Sequence, residues 1–298
     1  MKTILNKFLN KFLNKIAILA IAVYIVVTLV ASDRIAHSQT SSDVEQVENC
    51  LVNRLLHEKC TTAPKPQAQP QIPPIQVPSS TPTRILTNKE RFIAALMNLF
   101  PKIPPEDSYE YILLRAYGGP LINLEPTIKL PKKVVFKNNQ ETQQFQATLT
   151  MGKVAGTRNC YLQKSAADAL NKARAQTRFR LKSGYGKSDC TRDFATTARF
   201  WKKYANSKTL DLVKKGKETR ILGTVAPPGT SQHLWGLAID LRVTNKKQIN
   251  ALNQNGWYRS VKYDVPHWSY IGYPPEKLLK LGFQKKVIGG ITYWLTPL

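Results

Sequence analysis

Ser231-Gln232-His233-Leu234-Trp235-Gly236-Leu237-Ala238-Ile239-Asp240 follows the turn Pro227-Pro228-Gly229 and runs straight into a strand-like stretch that ends at Val243. Successive side chains of a strand point to opposite faces, so Leu237, Ile239, Leu241 and Val243 lie on one side and Ala238, Asp240 and Arg242 on the other. Asp240 is therefore presented away from the apolar face. The small Ala238 beside it leaves room above the sheet for a ligand.

A second stretch complements the first. In Asp264-Val265-Pro266-His267-Trp268-Ser269-Tyr270 the proline can only start or flank a strand, which puts Asp264 before the strand and His267 at its beginning. His267 and Ser269 then share a face opposite Trp268 and Tyr270. The chain holds four histidines, and the other two, His37 and His57, sit far upstream. Two neutral imidazoles and one carboxylate give three protein ligands and leave a fourth tetrahedral position open, the arrangement of a catalytic zinc site. Asp264, three residues from His267, is placed to take a proton from water and return it to a leaving amine. Ser231 has no Gly-x-Ser-x-Gly surroundings, so it is no serine nucleophile; it bonds the backbone or a substrate.

The spacing Ser231, His233, Gly236, Ala238, Asp240, followed by an acidic residue three positions before a His-aromatic pair, resembles the VanY-type D-alanyl-D-alanine carboxypeptidases. These belong to the zinc peptidase group that also contains D-Ala-D-Ala dipeptidases, L-alanyl-D-glutamate endopeptidases and the hedgehog domain. The resemblance is dense from about Ser183 to Tyr273. It implies zinc on His233, Asp240 and His267, a catalytic base at Asp264, and peptidoglycan stem peptides as substrate. The chain departs from the commonest pattern twice: aspartate stands where the base is usually glutamate, and Ser183-Gly184-Tyr185-Gly186-Lys187-Ser188 lacks the arginine of the family's Ser-Gly-Tyr-Arg-Ser segment. The resemblance assigns that arginine to the substrate carbonyl or carboxylate, and Lys187 or Arg192 is the cation read in its place. Ser231 and Trp235, which flank His233, are assigned to substrate binding, while Trp235, Trp257 and Trp268 also read together as core or pocket wall. The expected fold is α+β: a small, mostly antiparallel sheet with helices on one face and the zinc cleft on the other.

Further from the site, Gln163 to Gln176 has helical periodicity, Arg178 to Leu181 leads into a strand, and a helix is expected from Asp189 through Tyr204. Upstream, the spacing predicts a helix from an Asn88 cap to Phe100, a second over Tyr109–Tyr117, a strand over Lys133–Lys137 and a helix over Glu141–Leu149. These divide the chain into an N-terminal accessory region, 85–150, and a zinc peptidase domain, 151–298. Ahead of them lie a short amphipathic helix in 39–61 and a proline-rich spacer in 62–84.

Lys2, Lys7, Lys11 and Lys15 precede an apolar run from Ile16 to Ala31, so residues 1–38 read as a signal peptide or signal anchor that places the rest outside the cytoplasm, periplasmic or at the cell surface. The net charge of +25 points to a polyanionic partner, and export selects an anionic cell wall or membrane surface over nucleic acid. Four cysteines in an oxidising compartment suggest the pairs Cys50–Cys60 and Cys160–Cys190 among three connectivities, or free thiols. Two alternatives to a carboxypeptidase stand beside it: an endopeptidase of the same fold, and a zinc-stabilised wall-binding module without turnover.

Overall fold

A computed structural model describes residues 84–298. The leader, the helix expected in 39–61, nearly all of the proline-rich spacer, His37, His57 and the Cys50–Cys60 pair lie outside the described residues. The first helix, α1 (Asn88–Leu96), is capped by Thr87 rather than Asn88: the Thr87 hydroxyl accepts from Glu90 N and the Glu90 carboxylate accepts from Thr87 N. Two donors that a helix start leaves orphaned are thus satisfied reciprocally. Helix α2 (Tyr109–Tyr117) has the expected bounds and is capped by Ser108.

Lys133–Lys137 is not a strand. It is a loop that buries Val134 and Phe136 and is held to the Pro-Pro-Gly turn by a bond from Phe136 N to Gly229 O at 2.9 Å. Its alternating apolar residues record burial and not a ladder. Helix α3 (Asn139–Gln146) follows, and then a two-stranded ribbon of β1 (Met151–Lys153) and β2 (Tyr161–Gln163). Helix α4 (Lys164–Gln176) packs on that ribbon with Ala166, Ala167, Leu170 and Ala173 buried.

The central sheet is antiparallel throughout, with order β3 (Arg180–Leu181), β4 (Ala238–Arg242), β6 (His267–Tyr270), β5 (Trp257–Tyr258). The chain between β3 and β4 carries three α-helices, α5 (Gly186–Asp189), α6 (Phe194–Tyr204) and α7 (Ser207–Lys214), and then two 3-10 turns, Arg220–Gly223 and Gln232–Trp235. The single helix expected from Asp189 is broken at residues 190–193. There Thr191 N bonds Tyr161 O at 3.3 Å and Arg192 N bonds His233 O at 3.2 Å, directing two amides away from a helical ladder. Between β4 and β5 lies α8 (Lys246–Gln254), which packs on α4. The chain closes with α9 (Pro275–Lys280) and a hairpin of β7 (Gln284–Ile288) and β8 (Ile291–Leu295).

These elements form an α+β fold. Leu237, Ile239 and Leu241 are fully or almost fully buried on the apolar side of β4. The front region shares this core: Phe92 of α1 meets Phe283 edge-on at 5.2 Å between ring centroids, and the described residues, 84–298, fall in one compact unit. A buried amide adds a polar stitch. Gln163 donates to Lys129 O and Trp235 O and accepts from Lys129 N, tying the front loop to the turn that carries His233.

Cys160 and Cys190 are disulfide-bonded across a separation of 30 residues. Closing a loop of that size stabilises a fold by roughly 3–4 kcal/mol, chiefly by restricting the unfolded chain. The double variant Cys160→Ala, Cys190→Ala is expected to lose about that much in urea unfolding followed by circular dichroism.

Candidate metal centre

His233, Asp240 and His267 reach the site from three directions. Asp240 and His267 are direct cross-strand partners in the β4–β6 ladder, so their side chains leave the sheet on the same face. His233 lies on a one-turn 3-10 helix, Gln232–Trp235, that precedes β4. Gly236 ends that turn at φ 67°, a left-handed conformation that glycine adopts without strain, and reverses the chain so that His233 hangs over the strand it leads into.

His233 Nε2 lies 3.2 Å from His267 Nδ1, and Asp240 Oδ1 is 3.4 Å from the first and 3.5 Å from the second. All three residues are at least nine-tenths buried. The outer hydrogen bonds decide which ring atoms carry protons. His233 Nδ1 sits 2.8 Å from the carbonyl of Cys190, which can only accept, so Nδ1 is protonated and Nε2 presents a lone pair. Gln232 Nε2 donates to Tyr117 O at 2.6 Å, and this orients the amide so that its Oε1 accepts from His267 Nε2 at 2.8 Å. The Ser269 hydroxyl donates to the same oxygen and receives a bond from Ser260 at 2.7 Å. In the neutral ring this leaves His267 Nδ1 as a lone pair as well.

Three acceptors thus converge with no proton to share among them. Burial lowers the His233 pKa to about 4, with the Arg192 charge acting in the same direction, so this imidazole is neutral near pH 7. Burial by itself would raise the Asp240 carboxyl, and the Arg192 guanidinium bonded to its Oδ2 works against this to favour the carboxylate. A carboxylate and two neutral imidazoles facing one point repel unless a cation sits between them, and the donor set suits a divalent metal.

Residues 159–277 match the model of the VanY family, D-alanyl-D-alanine carboxypeptidase. The VanY match spans the three candidate ligands, Asp264 and the disulfide, so the resemblance carried by the two motifs is borne out over that segment. A search of curated proteins finds no match. Among solved structures, the crystal structure of vancomycin resistance D,D-dipeptidase VanXYg, in complex with a D-Ala-D-Ala phosphinate analog, is similar at 17% identity. The match covers 49% of this chain and 64% of that one, with a TM-score of 0.30. The chain therefore spans less than two thirds of the length of that structure.

The VanY-like segment places its other candidate residues unevenly. A cavity of about 280 Å³ opens over the three ligands, and Asp264, Arg192 and Ser231 line it. Burial pushes the Asp264 carboxyl up to about 6, and Asp240 nearby adds to the shift against the opposing effect of His267. Arg192 is in the cavity wall but is not free: its Nη2 bonds Asp240 Oδ2 and its Nε bonds the carbonyl of Ser188. It braces a ligand. Ser231 caps the one-turn helix, accepting from His233 N at 3.4 Å. Lys187 is exposed on α5 and outside the cavity wall. Trp235 is fully buried in the core and does not reach the cavity.

Sequence reasoning did not single out Gln232, Asp189 or Lys182. Gln232 stood in plain view between Ser231 and His233, but its partners are 115, 35 and 37 residues away. Asp189 is buried and accepts from Ser183 N and Gly184 N at 2.9 and 3.1 Å, which fixes the turn at the cavity rim. Burial is also the main cause that raises its carboxyl pKa.

Two outcomes are expected. Bound metal, measured by elemental analysis after dialysis, falls well below one equivalent in His233→Ala and in His267→Ala. Gln232→Met keeps the fold but removes the acceptor that orients His267; competition with a chromogenic chelator is expected to show metal affinity reduced about 10- to 100-fold.

Proposed function

We propose that the protein is an exported zinc carboxypeptidase that removes terminal D-alanine from the stem peptides of peptidoglycan. The observation that carries the zinc assignment is the ligand triangle. Tetrahedral bonds of 2.0–2.1 Å place ligand atoms about 3.3–3.4 Å apart, and the three separations are 3.2, 3.4 and 3.5 Å. Three protein ligands leave one position for water or the scissile carbonyl. The VanY match supports the substrate class. The apolar N-terminal run behind four lysines supports export, and the net charge of +25 supports retention on an anionic wall or membrane surface.

Zinc held by His233, Asp240 and His267 would supply Lewis acidity to polarise the scissile carbonyl and to acidify a water near neutral pH. The rest falls to the chain. The Asp264 carboxylate takes a proton from the attacking water, then delivers it to the nitrogen of the departing D-alanine. The bonds to Cys190 O and Gln232 Oε1 fix the orientation and tautomer of His233 and His267. Arg192 holds Asp240 Oδ2, leaving Oδ1 directed at the site. Asp264 lines the cavity over the candidate ligands from the turn immediately before β6, with its backbone carbonyl accepting from His267 N at 3.3 Å.

The test is direct. The full-length chain, loaded with zinc, is incubated with peptides ending in D-Ala-D-Ala and with muropeptides, and products are read by mass spectrometry. Release of a single D-alanine is expected; cleavage only at an internal bond would make the protein an endopeptidase, and no cleavage would leave a metal-stabilised wall-binding module. Asp264→Asn is expected to retain zinc while losing about 100-fold or more in kcat. The base works only as carboxylate, so activity falls as acid protonates it. Asp264 lies at about 6 without metal, and a nearby cation favours the charged form, so the acid limb of kcat/KM is expected at or below about pH 6 and absent from the residual activity of Asp264→Asn.

A further inference from the structure

We propose that Lys182 is the specificity-determining cation of this site, pairing with the free α-carboxylate of the peptide's last residue. The inference rests on the peptidase reading and names the side chain that recognises a C-terminus. Three carboxylates, Asp189, Asp240 and Asp264, line the cavity, so an entering carboxylate meets a wall already rich in negative charge. The metal position faces the scissile bond, so the terminal carboxylate needs a cation of its own.

The cavity wall offers Arg192 and Lys182. Arg192 cannot swing toward substrate without releasing both Asp240 and the Ser188 carbonyl, and its guanidinium also packs 4.9 Å over the Phe200 ring. Lys187 lies outside the wall. Lys182 differs from both. Its backbone is pinned next to the metal ligands, with N–H donating to Asp240 O at 3.0 Å and its carbonyl accepting from Arg242 Nε at 2.8 Å. Its side chain is exposed at the cavity wall and makes no ion pair within 4 Å among the described residues. The adjoining turn is held by Asp189, which accepts from the next two amides, Ser183 N and Gly184 N. A flexible stem on a fixed backbone beside Asp240 delivers a point charge to the rim, at the substrate's C-terminal side.

The test uses full-length, zinc-loaded wild type, Lys182→Met and Lys182→Arg, with a diacylated tripeptide ending in D-Ala-D-Ala and its C-terminal amide. Wild type is expected to favour the free acid in kcat/KM by about 10- to 100-fold, the range of one charge-assisted contact. Lys182→Met should lose that preference, with kcat/KM falling much more on the acid than on the amide, and Lys182→Arg should keep most of it. Retention of the preference in Lys182→Met, or an equal loss on acid and amide, would overturn the proposal. Calorimetric binding of the same two peptides supplies a readout without turnover. If no variant cleaves either peptide but wild type binds the acid more tightly and Lys182→Met does not, the peptidase reading fails and the role of Lys182 stands. Equal binding of acid and amide by wild type overturns it.

Discussion

Asp240 faces His267 across two antiparallel strands, and the whole site follows from that register. Side chains alternate along a strand, so a slip of one residue would turn one ligand into the apolar core and bring Trp268 or Ile239 to the metal face. The register is held on both sides of the pair. Ala238 and Ile239 are matched with Ser269 and Trp268 in the ladder, Leu241 N bonds Pro266 O at 2.8 Å, and Tyr270 N bonds Leu237 O at 2.8 Å. Burial of Leu237, Ile239 and Leu241 on the opposite face makes the alternative costly, since each would exchange a packed environment for water.

The third ligand arrives by a different route. His233 depends on the left-handed Gly236 and on a carbonyl at Cys190, whose position the disulfide to Cys160 helps to fix. The same staple therefore supports stability and the proton placement on His233. Gln232 does the equivalent work for His267, reaching from the turn before β4 to α2 through Tyr117 O and to β6 through His267 and Ser269. Every polar atom of this buried amide is engaged, and such a network holds a geometry more firmly than the same contacts exposed to water.

Charge is partitioned within the cavity. Arg192 is committed to Asp240, which keeps one carboxylate oxygen directed at the metal position, and Asp189 is committed to the turn after β3. Asp264 is left with a carboxyl whose pKa burial raises, and Lys182 is left at the cavity wall with no ion pair among the described residues. The departures from the family pattern, aspartate for glutamate and no arginine after Gly184-Tyr185, thus fall on residues whose role is set by where the surrounding turns place them.

Much of this was legible in the amino-acid order. Period-two alternation around Asp240, a proline that can only begin a strand before His267, and two imidazoles at compatible positions pointed to the candidate ligands that the fold brings together, because strand direction and proline geometry are consequences of covalent structure within a few residues. Errors arose where local pattern and long-range packing disagree. The apolar residues at 133–137 look the same in a buried loop as in a strand, and the helical periodicity from Asp189 onward could not reveal that Tyr161 and His233 capture the amides of Thr191 and Arg192. Of the two readings of Trp235, core or substrate contact, the fold places it in the core, and it leaves Lys187, read as a replacement for the missing arginine, outside the cavity wall. Which imidazole nitrogen is free, what braces Asp240 and which lysine enters the cavity were decided only by tertiary structure, since each depends on a partner brought close by the folding of chain tens of residues distant.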